Sequence, residues 1–352
     1  MGLRERDDLA DLDGYHSAQV DVDVRLNTNE SPYPPPGSWR EALLEELARV
    51  PFHRYPDRDA LALRSAIGEL HGVGPEQVLA ANGSNEILQC VCLAYGGRDR
   101  TAVVFEPTYR LHSHIARITG TTVVSGSRKP DFTVDVTEVR RVVGEAQPEI
   151  AFMCSPNNPT GRLEPPDVLE ALIDVAPGLV VVDEAYGQFA PHSALELMAD
   201  DRTLVVVRTF SKTWSMAAAR LGYLVGPAAV VQTLEKVLLP YHLDAMKQAA
   251  GRLALRFGAE MEARVAQIVE ERGRLAAALA ELPVETWPSG ANFILFRPQA
   301  RAGDDVWQAL LDRSVLVRNC VDWPGVEGCL RVTVGTPAEN DAFLAALTGA
   351  LA

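Results

Sequence analysis

The feature that most constrains this chain is an alternation. Between about residues 76 and 240, short apolar, β-branched runs take turns with longer stretches of helical period, the pattern that parallel strands joined by helical crossovers require. The runs are QVLAANGS, TAVVFEPTY, TTVVSGS, EIAFMCSPNN, GLVVVDEAY, TLVVVRTFSK and LGYLVGP, seven strands of one large sheet. Between them, SNEILQCVCLAY, RLHSHIARITG, TVDVTEVRRVVGEA and EPPDVLEALIDVA read as helices with suitable starting residues. In such α/β sheets ligands gather beyond the carboxyl ends of the strands, so the polar residues closing each run are the candidates for chemistry.

After Pro240 the pattern changes. A helix-period stretch from Met261 to Leu282 sets Val265, Ile268, Val269, Leu275, Leu279 and Leu282 near one face. Three short strands follow, in NFILFRP, SVLVRNC and CLRVTVGT, then a last helix from about Pro337, which makes a smaller α+β domain. The expected division is an N-terminal arm with part of the small domain over 1–45, a large domain over 46–245 and a small C-terminal domain over 246–352, which suits a chain of 352 residues. Within the arm, SPYPPPG reads as an extended segment lying over a surface.

Acidic residues outnumber basic ones 47 to 33, a net charge of −14, so nothing draws the chain to nucleic acid or anionic lipid. Five cysteines without a CxxC pair fit reduced thiols of a cytoplasm better than a disulfide framework or a zinc site. No apolar run approaches the roughly 18 residues of a membrane helix, and the first residues lack the apolar stretch of a signal peptide. A soluble cytoplasmic protein, without metal, is the expectation.

Lys212 closes TLVVVRTFSK and Asp183 ends GLVVVDEAY, which places an amine and a carboxylate at the ends of buried strands. Burial lowers the pKa of an amine and readies it for Schiff-base formation. A buried carboxylate needs a permanent partner, which a protonated pyridine nitrogen would supply. Alone, Lys212 could be a solvated strand-end lysine, and VVDEAY could hold a metal, but no GxxxxGK[ST] loop accompanies it. Gly83, Ser84 and Asn85 lie between a strand and a helix, where backbone N–H groups could grip a phosphate or merely cap the helix. Thr209 and Ser211 add hydroxyls and Arg220 a guanidinium suited to phosphate. SPNNPTG is a constrained turn presenting Asn157 and Asn158 after a strand. Tyr186 could hydrogen-bond an aromatic oxygen and Tyr109 could stack on a planar ring, although both could be core aromatics.

With these motifs in view, the chain resembles the fold-type-I pyridoxal-phosphate aminotransferases, and more narrowly the histidinol-phosphate aminotransferases. The matching segments are LNTNESPYPPP, HRYPD, NGSNEIL, FEPTY, SPNNPTG, VVDEAYGQF, RTFSK followed by ARLGY, WPSGANFILF, VLVRNC and LRVTVGT, in the family's order from about residue 15 to the end. The resemblance implies pyridoxal 5'-phosphate bound to Lys212, with Asp183 on the pyridine nitrogen, Tyr186 and Asn158 near the ring oxygen, and Tyr109 stacked on the ring. It implies a phosphate held by Gly83 to Asn85, Thr209, Ser211 and Arg220. It also implies Tyr55 reaching a neighbouring subunit's cofactor in a homodimer, Arg331 clamping the substrate carboxylate, and Arg318 and Tyr15 near the substrate's distal end. Arg318 and Tyr15 could instead be surface residues.

The implied reaction is transamination between an amino donor and a 2-oxo acid, favouring histidinol phosphate with 2-oxoglutarate, a step of histidine biosynthesis. Three segments depart from the family: Thr213-Trp214-Ser215-Met216, which sets an indole near the cofactor, and PYHLDAMKQAA at 240–250 and SPYPPP, both of which border the substrate cleft in relatives. An apolar Trp214 that could favour Phe or Tyr side chains leaves an aromatic amino-acid aminotransferase close behind, with a decarboxylase and a non-catalytic ligand-sensing module of the same fold further back. A nicotinamide dehydrogenase is weaker still, because GxGxxG is absent.

Overall fold

The computed structural model describes Arg6, Leu9, Gly14 and residues 18–352. In chain order the elements run β1 (Val24–Leu26), α1 (Gly37–Leu47), α2 (Leu61–His71), β2 (Val78–Ala81), α3 (Ser84–Tyr95), β3 (Thr101–Glu106), α4 (Leu111–Ile118), β4 (Thr122–Ser127), α5 (Val136–Ala146), β5 (Ile150–Cys154), α6 (Pro166–Val175), β6 (Leu179–Asp183), β7 (Leu204–Thr209) and β8 (Gly222–Val225). They continue with α7 (Ala228–Leu234), α8 (Ala245–Ala254), α9 (Gly258–Ala280), β9 (Val284–Thr286), β10 (Phe293–Pro298), α10 (Gly303–Leu311), β11 (Val315–Asn319), β12 (Leu330–Thr333) and α11 (Pro337–Leu351).

Strands β2 to β8 form the expected seven-stranded sheet, in the order β2-β8-β7-β6-β5-β3-β4. All are parallel except β8, which runs antiparallel to both neighbours. Because strand side chains alternate between faces, each strand feeds two cores. In β6, Leu179 and Val181 join a cluster under α3, α4 and α7, whereas Val180 and Val182 meet the apolar faces of α5 and α6. A sheet buried on both faces accounts for the unbroken apolar runs of the sequence. From β3 the chain moves outward to β4, then returns to build β5, β6 and β7 on the other side, so the strand order reverses between β3 and β5. A crevice opens at that reversal.

The second sheet has five strands rather than three, in the order β1-β11-β12-β10-β9, with β1 parallel to β11 and the other neighbours antiparallel. Helix α9 covers it with Ile268, Leu275 and Leu279, and α11 adds Phe343 and Leu347. Tyr186 and Phe189, from beyond β6, belong to the same cluster and join this core to the large sheet. Helix α8 buries Ala250 and Ala254 with Leu63, Phe210 and Tyr223, on the large-sheet side.

Candidate active site

A cavity of about 550 Å³ lies beyond the carboxyl ends of the large sheet, with the arm and the small sheet as its other walls. Lys212, three residues past the end of β7, donates from Nζ to the Thr28 carbonyl at 2.9 Å and lies 5.8 Å from the Tyr186 ring centroid. Burial pushes its pKa down to about 7; Arg331 and Arg220 add to the effect and Glu30 opposes it. An amine so placed is available in part as a base or nucleophile near neutral pH.

Asp183 ends β6 and is 1% exposed. Its Oδ1 accepts from the Ala185 N–H at 3.0 Å, and Oδ2 lies 3.0 Å from His112 Nε2. His112, on α4, stacks its ring on Phe152 with centroids 5.0 Å apart, and its Nδ1 is buried without a partner among the described residues. The shared hydrogen therefore belongs on Nε2, directed at the carboxylate. The sequence reading missed His112: two histidines sit in RLHSHIARITG, and only the packing of α4 decides which one meets Asp183.

Opposite, Gly83 caps α3 with φ +84° and no side chain, so the first N–H groups of the helix stay open. A Cβ at Gly83 would stand 2.9 Å from Arg220 Nη2. Arg220 donates to Ser211 Oγ at 3.2 Å, and Thr209 Oγ1 donates to the same oxygen at 3.0 Å. Ser84 and Asn85 line the cavity with these three residues, and Tyr109 donates to Asn85 Oδ1 at 3.2 Å. A helix start, a guanidinium and two hydroxyls facing one space suit a phosphate.

Arg318 on β11 and Arg331 on β12 are cross-strand partners, so their side chains leave the sheet on one face, and they are 9% and 5% exposed. Arg331 donates to Asn158 Oδ1 and, at 3.1 Å, to the Asn27 carbonyl, while its Nε is buried with no partner among the described residues. Two neighbouring buried cations repel one another, and a bound anion with two negative charges would relieve that.

The SPNNPTG turn divides its two amides. Asn157 is wholly buried and holds Thr108 Oγ1, Thr160 Oγ1 and the Pro107 carbonyl, whereas Asn158 faces the cavity. Tyr186 is 5% exposed, accepts from Asn29 Nδ2 at 2.9 Å, and has its phenol pKa pushed up by burial. Tyr55 lies outside the cavity, 80% exposed, stacked on Tyr241 at 4.5 Å. Tyr15 falls outside the described residues.

Two expectations are corrected. Trp214 is 2% exposed and fills the core beside Phe210, with Leu63 and Leu243, instead of bordering the cavity. The 240–250 segment also stays away from it: His242 Nε2 meets the Ala80 carbonyl at 3.0 Å, and Lys247 donates to Asn82 Oδ1 at 2.7 Å, bracing the end of β2. The arm contributes more than its sequence signalled, because Thr28, Asn29 and Glu30 all line the cavity.

A family model described as aminotransferase class I and II matches residues 21–347. The chain belongs to the class I and II aminotransferases. Among curated members, it is 45% identical to the histidinol-phosphate aminotransferase of Corynebacterium diphtheriae, over 96% of this chain and 94% of that one. The solved histidinol-phosphate aminotransferase of Sinorhizobium meliloti, in complex with pyridoxal-5'-phosphate, superposes with a TM-score of 0.86 at 23% identity, covering 94% of this chain and 91% of the other. An L-threonine-O-3-phosphate decarboxylase from Porphyromonas gingivalis shares the fold, with a TM-score of 0.80 at 22% identity and coverage of 93% and 98%. Both likenesses show that this aminotransferase has their fold. The fold alone does not separate their reactions.

Proposed function

We propose that this aminotransferase binds pyridoxal 5'-phosphate and moves an amino group from histidinol phosphate to 2-oxoglutarate. The observation that carries the reading is one cavity holding an anion cradle at Gly83 to Asn85 and Arg220, a second anion-binding pole at Arg318 and Arg331, and the Lys212 amine and Asp183 carboxylate on its lining. The cradle fits the cofactor phosphate because a side chain at Gly83 would occupy it. Asp183, oriented by His112, fits a ring nitrogen that must keep its proton. Tyr109 offers a ring face, and Tyr186 and Asn158 offer polar atoms at the cavity wall.

When bound, the cofactor supplies a sink for the electron pair left on a carbon that loses a proton. The chain's own residues do the rest. Lys212 Nζ, held by the Thr28 carbonyl, removes the proton from the substrate carbon and later returns one. Arg331, steadied by Asn158, clamps the anionic group beside that carbon, and Arg318 takes the further negative charge. Both proposed substrates carry two negative charges in that region, as the phosphate of the donor or the two carboxylates of the acceptor. A phenylalanine side chain would bring no negative charge to Arg318. The aromatic alternative rested on Trp214, which does not line the cavity.

Tyr55, exposed and stacked on the exposed Tyr241, supports a homodimer with shared sites. A domain division near residues 45 and 245 is in keeping with the two sheets, with β1 from the arm joining the small sheet and α8 packing on the large-sheet side. Cytoplasmic residence is in keeping with buried free cysteines and with no described helix long and apolar enough to cross a membrane. A panel of amino donors with 2-oxoglutarate, scored for glutamate and for carbon dioxide, tests the reading. Glutamate formed fastest from histidinol phosphate supports it, and carbon dioxide release or a faster reaction with phenylalanine overturns it.

A further inference from the structure

The loop joining β11 to β12 carries an indole that no part of the proposed reaction uses. Trp323 lies 5.2 Å, ring centroid to guanidinium carbon, from Arg318, and a second guanidinium, that of Arg110, lies 5.7 Å from the same ring. The loop is braced from within: Trp323 N–H donates to the Cys320 carbonyl at 2.9 Å, Val326 N–H to the Trp323 carbonyl at 3.1 Å, and Gly328 N–H to the Val321 carbonyl at 3.0 Å. It also rests on the large sheet. Gly325, at φ +82°, comes so near the Pro107 ring that a Cβ would lie 3.0 Å from its Cδ, and Pro107 and Arg110 flank Tyr109 in sequence. A flat indole is thus fixed between a cavity arginine of the small sheet and the corner where Tyr109 leaves β3.

We propose that Trp323 is a positioning residue that holds the Arg318 guanidinium in the cavity, and so sets the enzyme's preference for donors carrying a second negative charge. The physical cause is the attraction of a cation to the electron-rich face of an indole, strongest where water is excluded. A long side chain held on a rigid plate loses less freedom when an anion binds. Arg110 on the same ring ties that plate to the Tyr109 corner, so the geometry of the distal pocket depends on both sheets.

The inference rests on Arg318 facing the substrate, and its test separates the two ideas. Half-reactions of the holoenzyme with histidinol phosphate and with phenylalanine would be measured for Trp323→Leu, Trp323→Phe, Arg318→Ala and the double variant Trp323→Leu/Arg318→Ala. The expected result for Trp323→Leu is a roughly tenfold rise in KM for whichever donor Arg318→Ala also penalises, with kcat within about twofold, and with Trp323→Phe recovering much of the loss. In the double variant the Trp323 change adds nothing further. Additive losses, or equal losses for both donors, would overturn the clamp. An Arg318→Ala variant that discriminates against neither donor would instead sink the assignment of Arg318 to the substrate, and the clamp with it. A wild-type preference for phenylalanine would overturn only the proposed substrate, because the cycle is read on the donor that Arg318 selects.

Discussion

Lys212 carries the most specific expectation at the scale of single residues. Its pKa is pushed down to about 7 from the ordinary 10.5. In the cofactor-free protein, labelling of Lys212 by an amine-acylating probe should rise through about pH 7 and level off, whereas surface lysines continue to rise toward about pH 10. The stability consequence has a definite sign. Between those two pKa values the unfolded chain holds a proton that the folded chain lacks, so stability of the cofactor-free protein increases with pH across this window. Lys212→Met should flatten that increase in denaturant midpoints, and an unchanged slope would contradict the shifted amine. At Asp183, His112→Phe keeps a ring against Phe152 but removes the donor to the carboxylate. It should lower kcat by about 10- to 100-fold with little change in donor KM, as read in half-reactions. Lys212 and Asp183 were legible in the sequence because each closes a strand-like run. His112 was not, since its role depends on a helix face meeting a neighbouring strand end.

The elements show a similar division. The strands of the large sheet were readable because burial on both faces makes the inner ones apolar runs, while the partly exposed edge strand β4 still shows its paired valines, Val123 and Val124. Strands β1 and β9 escaped notice: each is only three residues long, and β1 follows Asp21 and Asp23 and carries a charged residue of its own. Trp214 was misjudged because its distance in sequence from Lys212 says nothing of which way the turn sends it. At the start of α3, Gly83→Ala places a methyl group against Arg220 in a left-handed backbone conformation. Cofactor retention on dialysis should fall at least tenfold while thermal unfolding of the cofactor-free protein shifts little; full retention would argue against the cradle. In α9, Leu275 is wholly buried, and Leu275→Ala should cost about 2–5 kcal/mol in urea unfolding.

For the whole molecule, the sequence spoke about assembly only through the RYPD segment, and a single chain leaves Tyr55 exposed against Tyr241. If Tyr55 serves the neighbouring subunit's site, mixing Lys212→Ala subunits with Tyr55→Ala subunits should restore activity above the average of the two parents, because each mixed dimer then contains one site built wholly of native residues. Activity no higher than that average would assign Tyr55 to its own subunit or to no site. The most direct measurement remains a single turnover: holoenzyme mixed with histidinol phosphate alone, followed by the stoichiometry of amine transferred per subunit. One amino group per subunit, lost in Lys212→Ala and passed on to 2-oxoglutarate when that acid is added, is the predicted result. Transfer that persists without the Lys212 amine, or a donor phosphate that leaves the rate unchanged when Arg331 and Arg318 are both replaced by alanine, would contradict it.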